Sequence, residues 1–288
     1  MFEEYIETIK DKIVTSTCEL IRIPSINSDS NDPSMPFGKG CNDALEYVLN
    51  LANSLGFRTK NIDGYCGYIE FGDGEELMGI IGHLDVVPED ENWTYPPFSG
   101  TISNNKIYGR GAIDDKGPVI ASLYAMKAVM DNFKINKRVR LILGLNEEMD
   151  WKCIDYYKQH EEIPSFGFSP DADFPCIYAE KALLNVHLTQ SYPSNIDDKI
   201  IISSIDYGNN AMNVVPKFCK IKLFVDNSLD ISSCIHSLTQ IVDNYKYSIK
   251  ITKDDDNYIV LTSTGISAHS AHPNLRKKCN ITYYYSFI

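Results

Sequence analysis

The 288-residue sequence lacks a long apolar run, and its first residues lack the basic cluster of a secretory signal. A membrane helix needs about 18 or more consecutive apolar residues, and here Met1 is followed by Phe2, Glu3 and Glu4. Basic residues are also the minority, since 27 of them against 39 acidic residues give a net charge of −12. Such a charge disfavours binding to nucleic-acid phosphates. The sequence therefore predicts a cytoplasmic protein with neither a membrane nor a nucleic-acid partner.

The eight cysteines include no C-x-x-C pair. Disulfide scaffolds and structural zinc clips place cysteines at short, regular spacings, so both classes are excluded and reduced, partly buried thiols are expected. Hydrophobic residues at 43 % and aromatic residues at 11 % are typical of a chain that folds around a core.

Helical spacing of apolar residues alternates with short apolar runs along the first part of the chain. Helices are predicted near residues 2–20, 44–55 and 118–129, and strands near 65–71, 78–82 and 139–145. This alternation indicates an α/β domain over residues 1–183, in which the Pro- and Gly-rich passage 88–111 is a candidate functional loop. Strands and one helix then predict a separate α+β unit over residues 184–288.

Several acidic residues and one histidine lie at the ends of predicted elements. His83 and Asp85 follow a buried run, and residues two apart on an extended chain face the same side. Asp114 and Asp115 occupy a glycine-rich turn before a predicted helix. Each motif alone has an ordinary structural interpretation, such as a hydrogen-bonded histidine or an aspartate that caps a helix.

Together these motifs predict a metal site, because four separate strand ends would deliver its members to the edge where open α/β sheets build their sites. The four residues are His83, Asp114, Glu148 and Asp171. One imidazole with several carboxylates suits Zn²⁺, Mn²⁺ or Co²⁺ better than copper or an iron–sulfur cluster.

The order of these motifs resembles the co-catalytic zinc exopeptidases of the aminoacylase and carboxypeptidase G type, and within them the bacterial dipeptidase V branch. The resemblance runs from about Ile6 to Leu275. It rests on the segments 82–88, 93–100, 109–118, 147–148, 151–153 and 169–175. It implies an α/β catalytic domain, with a mixed sheet flanked by helices, and a smaller α+β lid domain.

The resemblance also implies the metal ligands. His83 and Asp171 would hold one zinc ion, Asp114 would bridge to a second ion, and Glu148 would hold that second ion. Two zinc ions per site are thus implied, with Mn²⁺ or Co²⁺ as alternatives.

Further residues receive roles from the same resemblance. Asp85 would orient His83, and Glu147 would be the general base that takes a proton from water. The peptide bond between Asp114 and Asp115 would be cis. In the lid, His269 would bind the oxyanion of the reaction and contact the substrate, and Asn213 would contact the substrate.

The sequence departs from the family in its last part. The family places another histidine, a ligand of the second zinc, far downstream, whereas the six histidines here end at His272. The text from about residue 276 no longer resembles the family. A truncated or frameshifted form with an incomplete lid is therefore expected, with a short paralogue as the alternative. A weak second metal site and weak or absent activity would follow.

The function predicted from the sequence is that of a zinc dipeptidase, which hydrolyses dipeptides or short peptides with metal-activated water. One alternative is an N-acyl amino acid deacylase of the acetylornithine or succinyl-diaminopimelate type. Another is a non-catalytic remnant that binds a metal or a peptide. The segments 151–153 and 170–175 favour the dipeptidase.

Overall fold

The structure is a computed structural model, and it describes residues 2–89, 93–172, 176–177, 199–207, 214–215, 218–245, 248–264 and 268–269. The chain divides into two units, residues 1–180 and 181–288. Each unit is built around its own sheet.

A five-stranded mixed sheet forms the centre of the first unit, with the strand order β1-β2-β6-β3-β7. Its strands are β1 (Arg58–Ile62), β2 (Cys66–Phe71), β3 (Leu77–His83), β6 (Arg138–Gly144) and β7 (Phe166–Phe168). β1, β2 and β6 pair antiparallel, whereas β3 pairs parallel with both β6 and β7. The C-terminal ends of β3, β6 and β7 therefore lie at one edge of the sheet.

Among the described residues of this unit, four helices are present. They are α1 (Phe2–Ile21), α2 (Lys39–Ser54), α3 (Lys116–Asn132) and α4 (Lys152–His160). Pro118 lies in the first turn of α3, where its missing N–H costs no hydrogen bond. α2 packs on β1 and β2, and α3 packs on β3, β6 and α1. The predicted mixed sheet flanked by helices is thus confirmed.

The core passes through the middle of the sheet. Leu141, Ile142 and Leu143 are consecutive residues of β6, and all three are buried. Because successive strand residues point to opposite faces, both faces of β6 are covered.

Leu141→Ala should destabilise the first unit by about 2–5 kcal/mol, because it opens a cavity in a packed core. The side chain of Leu141 is 0 % exposed, whereas that of the control residue Ile102 is 58 % exposed. Ile102→Ala should change the free energy of unfolding by about 0.5 kcal/mol or less. Urea denaturation measures both variants, and equal losses of stability would contradict this placement of the core.

Some elements differ from the sequence-based expectation. The passage 88–111 contains a small hairpin formed by β4 (Thr101–Ser103) and β5 (Lys106–Tyr108). β1 has no counterpart among the predicted elements. β1 has a polar sequence at the edge of the sheet, so it produces no clear apolar pattern.

The second unit contains a four-stranded antiparallel sheet with the order β11-β12-β10-β8. Its strands are β8 (Ile200–Asp206), β10 (Phe218–Val225), β11 (Ile249–Lys253) and β12 (Tyr258–Thr264). The helix α5 (Ile231–Tyr245) packs on β11 and β12. A separate pair joins β9 (Val214–Val215) to β13 (Ala268–His269).

Within the described ranges, none of the helices combines the length and the apolar character needed to cross a bilayer.

Candidate metal centre

Asp114, Glu147, Glu148 and Asp171 form an acidic cluster, and the buried imidazole of His83 lies at its centre. His83 is the last residue of β3, and it is only 1 % exposed. Its Nε2 atom lies 2.9 Å from Oδ1 of Asp114, 3.4 Å from Oδ2 of Asp171 and 3.8 Å from Oε2 of Glu147. The structure thus brings carboxylates from three other parts of the chain around one nitrogen atom.

Two groups of side chains in the described part of the chain have the spacing of a metal site, and they share His83. One group is His83, Asp114 and Asp171, and the other is His83, Glu147 and Glu148. In each group, the candidate ligand atoms lie within 4.8 Å of one another. Each of the four residues expected to ligate a metal therefore occurs in at least one of the two groups. These residues are His83, Asp114, Glu148 and Asp171.

Asp114 reaches the site in a different way from the expectation. Four strand ends were predicted to deliver the ligands, but β5 ends at Tyr108 and Asp114 lies in the turn that precedes α3. The prediction of a strand end is wrong for this residue. The peptide bond between Asp114 and Asp115 is cis, as the resemblance implies.

Asp115 attaches this turn to the end of β3. Its Oδ2 atom accepts a hydrogen bond from the backbone N–H of His83 at 3.1 Å. A Cβ atom at Gly82 would lie 2.6 Å from this Oδ2 atom and 2.6 Å from Cγ2 of Val119. Glycine at position 82 therefore permits the close approach of α3 to β3. Burial raises the pKa of Asp115 to about 8.

Asp85 is fully buried beneath the cluster, and it makes two kinds of contact. Nδ1 of His83 lies 2.8 Å from the backbone carbonyl of Asp85, and it lies 3.5 Å from the Oδ1 atom of the same residue. Donation from Nδ1–H to the carbonyl leaves Nε2 available to a metal ion. The main-chain carbonyl of Asp85 therefore lies closer to the ring than its carboxylate does. The resemblance implied that Asp85 orients His83, without saying which of its atoms does so.

The carboxylate of Asp85 accepts hydrogen bonds from the main chain of two adjacent glutamates, Glu147 and Glu148. The backbone N–H of Glu147 donates to Oδ1 at 3.1 Å, and that of Glu148 donates to Oδ2 at 3.1 Å. The pair follows β6 and lies in a turn that ends at Trp151, whose backbone N–H donates to the carbonyl of Asn146. Trp151 has a φ of +61°, in the left-handed region. Asp85 thus fixes the main chain of the residues that carry the two glutamates.

The electrostatics of the cluster are those of a site that accepts cations. Burial raises the pKa of Glu147 to about 7, and the neighbouring carboxylates of Glu148 and Asp171 add to the rise. Burial acts to lower the pKa of His83, but hydrogen bonds with Asp114, Asp171 and Asp85 outweigh it and hold the pKa well above its ordinary value. Several carboxylates therefore share the charge of one imidazole.

A groove opens beside this cluster at the ends of β3 and β6. Its lining includes His83, Glu147, Asp171, Trp151 and Ile154.

The two residues expected from the lid cannot be placed in the same way. Asn213 lies outside the described residues, and of His269 only the main chain is described, paired with Val214. Both belong to the second unit.

Two asparagines beneath the site were not identified from the sequence. Asn27 contacts Asp85, and Asn146 closes the turn that carries Glu147. Their proximity depends on residues more than 100 positions apart. The Pro-Ser-Ile-Asn text that contains Asn27 was a possible signal, since it follows the end of the first predicted helix.

Comparison with known proteins supplies the family. The model of peptidase family M20/M25/M40 matches residues 79–281. The chain belongs to this peptidase family. The match begins within β3 and includes all the residues of the acidic cluster.

Two curated relatives come from bacteria. The chain is 39 % identical over 268 residues to YtjP of Bacillus subtilis, which is provisionally named a dipeptidase; the match covers 92 % of this chain and 57 % of that protein. It is 33 % identical over 279 residues to SH1171 of Staphylococcus haemolyticus, also provisionally named a dipeptidase, with 96 % and 59 % covered. The chain thus spans less than three fifths of the length of these two relatives.

Among solved structures, human carnosine dipeptidase 1 resembles this chain with a TM-score of 0.50 and 23 % identity. The match covers 59 % of this chain and 40 % of the human protein. At this identity the likeness concerns the fold, and it agrees with a mixed sheet flanked by helices.

Proposed function

We propose that this chain carries the metal-binding part of a dipeptidase that hydrolyses dipeptides or short peptides. The observation that carries the proposal is the convergence of Asp114, Asp171 and Glu147 on the buried Nε2 atom of His83. Membership of a peptidase family and the provisional names of the relatives support the same function.

The residues present fit a divalent metal ion. One imidazole nitrogen and several carboxylate oxygens form a donor set that suits Zn²⁺, and Mn²⁺ or Co²⁺ as well. Burial raises the pKa of Glu147, and the carboxylates of Glu148 and Asp171 add to the rise; a cation would offset the repulsion among these carboxylates. His83 and Asp171 would hold one ion, Asp114 would be shared, and Glu148 would hold a second ion.

Such an ion would supply Lewis-acid chemistry, since it lowers the pKa of water and polarises a carbonyl group. The protein's own contribution is proton transfer and orientation. The Glu147 carboxylate would accept a proton from the attacking water and deliver it to the nitrogen of the leaving amine. Burial raises the pKa of this carboxylate to about 7, because its environment disfavours the charged form. The main-chain hydrogen bond to Asp85 would keep this carboxylate in place during both transfers.

Substrate contacts in the second unit belong to the same proposal. His269 would stabilise the oxyanion, and Asn213 would contact the substrate, as the resemblance to zinc exopeptidases implies.

Purified 288-residue protein, stripped with a chelator and reloaded with Zn²⁺, Mn²⁺ or Co²⁺, tests this function. We expect slow, metal-dependent release of free amino acids from a panel of dipeptides, at a higher kcat/KM than from N-acetyl amino acids. A preference for N-acetyl or N-succinyl substrates would favour the deacylase alternative. Metal binding without hydrolysis of either class would contradict the proposal and favour a non-catalytic binding protein.

A further inference from the structure

Beneath the acidic cluster, a short segment after α1 contacts both the end of β6 and the carboxylate of Asp85. The segment runs beside the stretch that follows β3, because Ile26 forms a parallel bridge with Val86 and the backbone N–H of Val86 donates to the carbonyl of Ser25. Asn27 follows directly, and it is half-buried. The main chain therefore fixes where this side chain can reach.

The Asn27 side chain makes three contacts around the turn from Asn146 to Trp151, which carries Glu147 and Glu148. Its Nδ2–H donates to the backbone carbonyl of Leu145 at 2.7 Å and, at a longer 3.4 Å, to Oδ2 of Asp85. Its Oδ1 atom accepts from Nδ2 of Asn146, also at 3.4 Å. The first contact holds the residue before the turn, and the second reaches the carboxylate that holds the turn itself.

The same Oδ2 atom of Asp85 accepts the backbone N–H of Glu148, while Oδ1 accepts that of Glu147. Asn27 and the turn therefore share one buried carboxylate. Asn146 completes the network, because its Oδ1 atom accepts the backbone N–H of Lys152 and its carbonyl accepts that of Trp151. The bonds of Asn27 to Leu145 and Asn146, and those of Asp85 to the two glutamates, all involve the short stretch that displays these glutamates.

We infer that Asn27 is a positioning residue, which acts through Asp85 and Leu145 to hold the Glu147–Glu148 turn in the orientation that the reaction requires. The inference rests on the proposed function for its catalytic consequence. The physical claim is narrower, namely that the side-chain amide of Asn27 restrains this turn.

A purely structural role would have a different signature. Removing a buried hydrogen bond anywhere in the first unit lowers its stability, so lost stability alone proves nothing about the turn. Ser16 provides the matched control, because its buried hydroxyl bonds to the hydroxyl of Tyr124 at 3.1 Å, between α1 and α3 and outside the Asp85 network. Ser16→Ala therefore removes one buried bond and leaves the turn intact.

The variant Asn27→Asp keeps the side-chain shape but replaces the amide donor with a carboxylate that faces Asp85 and a carbonyl group. Hydrogen–deuterium exchange, followed by mass spectrometry on a peptide that spans Gly144–Trp151, reports on the turn directly. We expect about 5- to 10-fold faster exchange in this peptide of the metal-free variant, as befits the loss of one hydrogen bond. A peptide from β2 (Cys66–Phe71) serves as the internal reference and should change no more than in Ser16→Ala.

Dipeptide hydrolysis by the same proteins provides the second readout. We expect kcat of Asn27→Asp to fall about 10- to 100-fold, as is typical when a partner outside the ligand shell is lost. KM should stay within about 2-fold, because a displaced general base affects the chemical step more than ground-state binding. Ser16→Ala should retain kcat near the wild-type value.

Unchanged exchange in the Gly144–Trp151 peptide overturns the inference, whatever the activity, and so does an equal increase in Ser16→Ala. Faster exchange with an unaltered kcat in an active enzyme also overturns the catalytic consequence. Faster exchange in Asn27→Asp, together with a wild-type protein that hydrolyses nothing, supports the restraint and contradicts the proposed function alone.

Discussion

Replacing Glu147 with glutamine is expected to reduce kcat for dipeptide hydrolysis by about 10²- to 10⁴-fold, the usual contribution of a general base. Glutamine has the size of glutamate but cannot take a proton from water at neutral pH. The backbone N–H of residue 147 still donates to Asp85 in this variant, so the turn stays in place. Metal content, measured by elemental analysis, should remain near that of the wild type.

Glu148 provides the matched comparison, since it is the adjacent carboxylate and its backbone N–H is held by the same aspartate. Glu148→Gln should lower both turnover and metal content, because this side chain is proposed as a ligand. Equal metal loss in the two variants would mean that the roles of base and ligand are assigned to the wrong members of the pair.

Replacing His83 with alanine is expected to remove the stabilisation of the fold by zinc. A metal that binds only the native state stabilises it by about 2.7 kcal/mol at a hundredfold excess over Kd. His83 belongs to both candidate ligand groups of the described residues, so its loss affects both. Thermal unfolding with Zn²⁺ and with a chelator gives the zinc-dependent increase in Tm for each protein, which should be near zero in the variant.

His160→Ala is the control for this experiment. His160 is an exposed histidine at the end of α4, where its ring stacks on Tyr156 and Nδ1 contacts the backbone carbonyl of the same tyrosine. The zinc-dependent increase in Tm should survive this change. If it survives His83→Ala equally well, zinc binds elsewhere and the proposed site is wrong.

The sequence predicted well the parts of the fold that depend on strong local patterns. The apolar run at residues 78–82 and the one at 139–145 became β3 and β6, which pair in parallel at the centre of the sheet. β1 was missed because an edge strand with the sequence Arg-Thr-Lys-Asn-Ile buries only its last residue. An edge strand gains its stability from pairing with a neighbour, here β2, and such pairing leaves little trace in local hydropathy.

In the candidate site, too, the sequence predicted the residues that occur in local motifs but not the hydrogen bonds between distant parts of the chain. Motif order was enough to select His83, Asp114 and Asp171, and the structure brings their ligand atoms together. It was not enough to show that Asp85 holds the backbone of Glu147, because that contact joins residues 62 positions apart. Hydrogen bonds of this kind are set by how strands and turns pack, and a one-dimensional pattern contains little of that geometry.

The most direct test of the metal centre is X-ray absorption spectroscopy of zinc bound to the chelator-treated 288-residue protein. The account predicts a ligand shell of nitrogen and oxygen atoms at about 2.0–2.2 Å, with the scattering signature of imidazole and no sulfur. That signature should disappear in His83→Ala. A sulfur shell at about 2.3 Å, which would indicate zinc on one or more of the eight cysteines, or an imidazole signal that persists without His83, would contradict it.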